Sequence, residues 1–389
     1  MEFFWDIFMK NKMIIFSTGL AMFSMFFGSG NLVFPLLVGQ MSQGHYLVAG
    51  LGIVLTGVLV PFLGILAMLF FRGKTSELFS LIGKRAPFWL SLICLSIMGP
   101  FGVLARCITV AHGAFQLIVP DSSLWLFSLI GCGSIFILAI KKNKIVPMLG
   151  SFLTPFLLAS LAAIMICGLY VTDLPPSTKT GSWASFKTGV FQGYQTMDLL
   201  AAFFFSTFII NHLQKRATPQ TDPVQIISIF FRSSLVGAGL LSCIYGVLVA
   251  LGAMYAPLLA NVPPQEMLGF VAQQCLGSFA APLVCISVVL ACLTTAIVLA
   301  SLFADFLRKE VTQEKLPHTA ALAMTLAFAF GTSTLEFSGI ARYIGPLLEI
   351  MYPALILLAV LGILHKLWGW RSVKMPFAAM LALKLISGL

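Results

Sequence analysis

The chain has 389 residues, of which 59% are hydrophobic and 9% charged, with a formal net charge of +10 and a mean hydropathy of +1.01. That apolar share exceeds what a water-soluble core can use, which excludes an ordinary globular domain and leaves the bilayer as solvent. The positive charge does not argue for nucleic acid, because the basic residues fall in alternate loops rather than along one face.

Crossing the hydrocarbon core takes about 20 apolar residues as helix, and such stretches recur along the chain. They cover about 13–38, 47–71, 87–118, 123–140, 145–171, 189–213, 225–256, 279–306, 318–334, 342–365 and 376–389, eleven in all. The first is too long for a signal-peptide core, holds Pro35 and lacks a small-residue cleavage site, so it is expected to be retained. Lys10 and Lys12 precede it, Arg72, Lys74, Lys84 and Arg85 follow the second span, and Lys141, Lys142 and Lys144 the fourth. Lys215, Arg216 and Arg232 follow the sixth, Arg308, Lys309 and Lys315 the eighth, and Lys366, Arg371 and Lys374 the tenth. The other loops hold only Lys179, Lys187 and Arg342. By the positive-inside rule the N-terminus is expected on the cytoplasmic side.

No soluble domain interrupts the spans, so residues 1–389 read as one integral-membrane domain. The stretch of about 172–188, with Pro175, Pro176 and Gly181, divides it after the fifth span. A first repeat of about 13–171 is then followed by a second of about 189–365, with an extra C-terminal helix of about 376–389. Because each set holds an odd number of spans, the second enters from the opposite face, which is the layout of an inverted repeat.

The first helix of each set is interrupted, by Gly28-Ser29-Gly30-Asn31 and by Gly193-Tyr194-Gln195-Thr196-Met197-Asp198. Glycine costs about 1 kcal/mol per residue in a helix interior, and a charge at the bilayer centre costs at least about 2.5 kcal/mol. Irregular backbone at that depth survives only where it is buried in protein or lines a cavity. Small residues also let membrane helices approach closely, but paired breaks at matching positions point to a transport site. The half-helix after Gly28 and Ser29 would offer free amides and a positive dipole end to a carboxylate. The carbonyls left around Ser24, Phe26 and Phe27 suit an ammonium or a hard cation.

In the eighth span Ala291-Cys292-Leu293-Thr294-Thr295 sets two hydroxyls three and four residues after Ala291, on its face of the helix. They can hold a small hard cation or bond back to carbonyls of their own helix. Arg106 and Glu349 are ionisable residues within spans and therefore pathway candidates. His112 reads as a hydrogen-bonded polar residue and Asp305 as a solvated or paired surface charge. The eight cysteines show no C-x-x-C or Cys/His ligand spacing and read as small buried hydrophobes. No bound cofactor is expected.

These motifs resemble the bacterial branched-chain amino acid transport system II carriers, the branched-chain amino acid:cation symporters, nearly end to end. The resemblance is carried by Phe27-Gly28-Ser29-Gly30-Asn31-Leu32-Val33-Phe34-Pro35, Gly99-Pro100 followed by Arg106, Gly193-Tyr194-Gln195-Thr196-Met197-Asp198, and Ala291-Cys292-Leu293-Thr294-Thr295-Ala296. It implies an all-α polytopic membrane protein with the five-plus-five inverted-repeat fold of the leucine/sodium symporters, broken in its first and sixth helices. It also implies substrate contacts from Gly28, Ser29 and Gly30, whose amides hold the carboxylate, and from Tyr194, Thr196 and Asp198. A sodium site is implied at the carbonyls of Ser24, Phe27 and Ala291 with the hydroxyls of Thr294 and Thr295, and a second sodium at Asn31. The chain departs from the family pattern at Ala105, where a proline precedes the arginine, and at Gly113, where an acidic residue stands. It also stops in its eleventh span where the family has twelve.

The expected function is sodium-coupled symport of leucine, isoleucine and valine by alternating access, with no chemistry on the substrate. Proton coupling through Asp198 and a different neutral amino acid are the alternatives within transporters. An intramembrane enzyme would need a gathered nucleophile and base or metal ligands, and neither H-E-x-x-H nor G-x-S-x-G occurs. Gly73-Lys74-Thr75 ends like a phosphate-binding loop, but Met68 stands where that motif needs glycine.

Overall fold

The computed structural model describes residues 2–140, 158–170, 175–177, 181–216, 223–277 and 280–387. Every element of regular structure among them is helical. The first expected span comprises α1 (Glu2–Phe26) and α2 (Ser29–Ser42), the second α3 (Tyr46–Val54), a π-helical turn Leu55–Leu59 and α4 (Val60–Phe70). After the short α5 (Thr75–Ser80), the third comprises α6 (Ala86–Met98) and α7 (Val103–Phe115), and the fourth is α8 (Leu124–Ile140). Of the fifth, Leu158–Tyr170 is described as a helix, α9, and 145–157 lie outside the described residues.

The second set begins with α10 (Ser182–Gln195) and α11 (Asp198–Arg216), followed by α12 (Pro223–Met254). Two short helices, α13 (Ala256–Leu259) and α14 (Met267–Leu276), lead to α15 (Ala280–Phe306). The chain ends with α16 (His318–Ser333), α17 (Glu336–Trp368) and α18 (Lys374–Ser387). Five runs among the described residues are long and apolar enough to cross a bilayer: Ser29–Phe70, Ala86–Phe115, Ile227–Met254, Pro282–Val311 and Glu336–Trp368. The first of these is interrupted by the 3₁₀ turn Gln43–His45, where Gln43 has φ +41°.

Two differences from the sequence expectation have plain causes. The sixth segment begins at Ser182 rather than near 189, because α10 opens with Ser182, Ser185, Lys187 and Thr188, which mask a helix from a hydropathy reading. The third span is broken between Met98 and Val103, because Gly99-Pro100-Phe101-Gly102 gives up the helix there. A Cβ at Gly102 would run into the carbonyl oxygen of Ile97, so that turn requires glycine.

Large apolar side chains stand on the outside, among them Leu51, Ile130, Ile137, Leu235, Ile286 and Phe328, the reverse of a surface facing water. Inside, packing is reciprocal between the two sets. The halves of the first segment, α1 and α2, pack on α12, while the halves of the sixth, α10 and α11, pack on α3 and α4. The third and eighth segments meet through α7 and α15, the fourth and ninth through α8 and α16. Such exchange is what two related repeats produce.

The two exchanged crossings are built alike. At α2/α12 a Cβ on Gly39 would strike the carbonyl of Val249, and one on Gly252 the carbonyl of Leu36. At α3/α10 a Cβ on Gly52 would strike the carbonyl of Phe186, and one on Gly189 that of Ala49. Backbone touches backbone at both, as small residues allow in a membrane bundle.

Candidate functional site

The first break forms where α1 ends at Phe26 and Gly28 turns extended (φ −130°, ψ −165°) ahead of Ser29. Asn31 Oδ1 reaches back to accept from the Gly28 amide at 3.1 Å, while the following amides of the first turn of α2 have no carbonyl within the helix to pair with. The second break forms at Thr196–Met197. Met197 has φ +61°, a left-handed conformation that a side chain adopts at a cost of about 1–2 kcal/mol, and α11 starts immediately after it. The Tyr352 hydroxyl oxygen accepts the Leu199 amide at 3.0 Å, capping α11 from α17.

These breaks face each other. A Cβ on Gly30 would sit 3.4 Å from Thr196 Cα, and one on Gly28 would sit 3.7 Å from Thr295 Cγ2. Asn31 Nδ2 donates to Asp198 Oδ2 at 2.8 Å and lies 2.6 Å from the Tyr245 hydroxyl, which itself stands 3.5 Å from Asp198 Oδ2. Asp198 is 3% exposed and heads α11, where the helix dipole favours negative charge. Between the breaks lies a cavity of about 40 Å³ lined by Gly28, Ser29, Gly30, Asn31, Thr196, Asp198 and Thr295, with Met98 and Val103 from the third segment. Asp198 is the charged side chain in that lining.

The expected site residues divide. Gly28, Ser29, Gly30, Thr196, Asp198, Asn31 and Thr295 are gathered around the cavity. Tyr194 stands behind it, its ring 4.8 Å from that of Tyr352. Thr294 and Thr295 both donate to the Ala291 carbonyl, at 2.9 and 3.1 Å. Ser24 is exposed on the last turn of α1 and Phe27 is buried beside Phe23. Glu349 is exposed on α17, outside the cavity lining but within electrostatic reach of Tyr194. Arg106 lies behind the cavity and donates to the carbonyl and the side-chain oxygen of Gln195. His112 bonds Ser122 at both its carbonyl (2.9 Å) and hydroxyl (3.2 Å), and Asp305 pairs with His318.

Three groups were not singled out by sequence reasoning: the Tyr245 and Tyr352 hydroxyls and the Gln195 side chain. Tyrosine inside an apolar span is a weak pointer, since its hydroxyl needs a partner when buried. Ser29 Oγ is also 3.4 Å from Cys107 Sγ, which joins the first break to α7.

The architecture has a match among solved structures. The transporter described as "Mhp1, a nucleobase-cation-symport-1 family transporter, in a closed conformation with bromovinylhydantoin bound" superposes with a TM-score of 0.64 at 13% identity, covering 96% of this chain and 91% of that one. The fold is therefore that of the five-plus-five inverted-repeat transporters. In sequence, the chain is 30% identical over 369 residues to the "Branched-chain amino acid permease BrnQ" of Bacillus subtilis (strain 168), covering 91% of this chain and 82% of that protein. It is 27% identical over 383 residues to the protein of the same description from Escherichia coli (strain K12), covering 96% and 86%. The family model described as "Branched-chain amino acid transport protein" matches residues 10–389. A broken-helix cavity, a transporter fold and a match over nearly the whole length agree, and the chain belongs to the branched-chain amino acid transport protein family, a multi-pass membrane family of carriers rather than of enzymes.

Proposed function

We propose that this chain is a secondary transporter that carries leucine, isoleucine and valine across the bacterial inner membrane together with sodium, with its N-terminus cytoplasmic. The observation that carries the reading is the pair of helix breaks facing each other across a buried cavity. One wall offers the amides of Ser29 and Gly30 to a carboxylate. The other offers Asp198 and the carbonyls and hydroxyls around Tyr194 and Thr196 to an ammonium. A cavity of about 40 Å³ holds little more than one or a few waters, whereas small-molecule sites run to about 300–1,000 Å³. The amino acid is accommodated only when the walls separate, which makes the cavity the occluded centre of an alternating-access cycle.

Sodium would be held by the carbonyls of Ser24, Phe27 and Ala291 with the hydroxyls of Thr294 and Thr295. The donor set is oxygen throughout, as a hard cation requires. The bonds from both hydroxyls to Ala291 use their hydrogens and leave oxygen lone pairs for the ion. Asn31 would serve a second sodium beside the substrate. A second reading, proton coupling through Asp198, is favoured by a specific feature: that carboxylate is buried against Asn31 and Tyr245, where taking up a proton would relieve the cost of a charge in the membrane.

The test is uptake of radiolabelled leucine into proteoliposomes carrying the purified protein, under an imposed sodium gradient or proton gradient. Sodium-driven uptake competed by isoleucine and valine is expected. Uptake driven by protons alone selects the second reading, and no uptake of any of the three amino acids under either gradient refutes the substrate assignment.

A further inference from the structure

Arg106 is a fully buried charge, 1% exposed. Nη1 donates to the Gln195 carbonyl at 2.9 Å and Nη2 to Gln195 Oε1 at 2.7 Å. The rings of Phe34 and Phe337 flank it, their centroids 5.2 and 5.5 Å from Cζ. Among the described residues its Nε has no hydrogen-bond partner. Among the described residues no carboxylate stands within ion-pair distance of it; the ion pairs are Lys74–Glu77, Arg308–Glu314 and Asp305–His318. A neutral amide, a carbonyl and two ring faces orient a guanidinium without neutralising it, and a buried ion held that way is costly.

The fold sets this charge beside the cavity. Val103 lines the cavity, and Arg106 follows it by one turn on the same face of α7. The oxygens that Arg106 holds belong to Gln195, the residue before cavity-lining Thr196. An amino acid is a zwitterion. The cavity lining supplies a negative group, Asp198, and no positive one; the positive group stands one residue behind the wall, with an unused donor.

We propose that Arg106 is a substrate-binding residue whose guanidinium takes the carboxylate of the transported amino acid, releasing the side chain of Gln195 as it does so. This rests on the amino-acid transport reading and adds the charge that the amides of Ser29 and Gly30 lack. A carboxylate is a stronger partner for a guanidinium than a neutral amide, and it fits the planar fork with two parallel bonds. Asp198 and Arg106 then read the two ends of the zwitterion, so the site accepts an α-amino acid and rejects the matching amide or amine.

The test is equilibrium binding of leucine and of leucinamide, which keeps the ammonium and the side chain but lacks the carboxylate. The proteins are the parent, Arg106→Gln and Gln195→Glu. The second variant is isosteric and gives the guanidinium a resident carboxylate, so it tests the same point with Arg106 in place. The parent is expected to prefer leucine at least about 30-fold, the scale of losing a buried charge pair. Both variants are expected to lose most of that preference, with leucinamide affinity changed less than about threefold. A parent that binds both ligands alike, a preference for leucine that survives in either variant, or equal loss of both ligands in both variants overturns the assignment and leaves the transport reading standing. A parent that binds neither leucine nor leucinamide and transports nothing overturns both.

Discussion

Asn31 Nδ2 donates to Asp198 Oδ2 at 2.8 Å, a bond between residues 167 positions apart that ties the broken first segment to the broken sixth. Asn31 also accepts from the Gly28 amide, so one side chain both shapes the first break and reaches the charge at the second. Asp198→Asn keeps the size and a hydrogen-bonding oxygen but removes the charge. We expect correctly inserted protein whose leucine affinity falls at least about 30-fold, from the loss of about 2–5 kcal/mol typical of a buried charge partner. Binding to purified protein in detergent measures this, and parent-like affinity would move the ammonium contact elsewhere.

Thr295 lines the cavity while its hydroxyl donates to Ala291. Thr295→Ala is expected to raise the sodium concentration for half-maximal leucine uptake by about tenfold, the scale of one lost polar contact. Thr295→Ser should stay near the parent. Sodium titration of uptake reads the effect, and an unchanged half-maximal concentration in the alanine variant would detach Thr295 from the cation.

The crossing of α2 and α12 leaves no room for a side chain at Gly252, where a Cβ would meet the Leu36 carbonyl. Gly252→Ala should destabilise by about 1–3 kcal/mol through overpacking. Gly331→Ala on α16, where nothing among the described residues lies within 4 Å of the added atom, should be neutral or mildly stabilising because alanine suits a helix better. Thermal unfolding in detergent separates the two, and equal melting temperatures would contradict the close crossing.

Tyr352 caps α11 by accepting the Leu199 amide. Tyr352→Phe leaves that buried amide unpaired, at about 1–3 kcal/mol, and is expected to lower the melting temperature and the maximal uptake rate without changing which amino acids compete. A variant indistinguishable from the parent in both measurements would show that the cap carries no weight.

The two site-forming breaks were legible because glycines and an aspartate are expensive inside lipid and tolerated there only around a cavity. Ser29, Gly30, Thr196 and Asp198 accordingly line one. The break at Gly99–Gly102 was not expected, since hydropathy is as high for two apolar half-helices as for one whole helix. Glu349 shows the converse: an acid within an apolar stretch signals cost, but its exposed place on α17 follows from packing that no local pattern encodes. Tyr245 and Tyr352 were illegible for the same reason, because which tyrosine meets Asp198 or Leu199 is decided by helices far apart in the chain.

The paired glycines at Gly39/Gly252 and Gly52/Gly189 bring main chain against main chain, and surfaces meshed that way have no compliant layer on which to slide. The first and seventh segments, and likewise the second and sixth, are in effect riveted, and α1 also packs on α11. They form one packed block. α7, α8, α15 and α16 pack into a second block, and the cavity takes Gly30 and Thr196 from the first block but Val103 and Thr295 from the second. In the alternating-access cycle proposed above, tilting one block against the other would part those walls without bending a helix, and the glycines that look like passive packing would keep each crossing rigid while the blocks move.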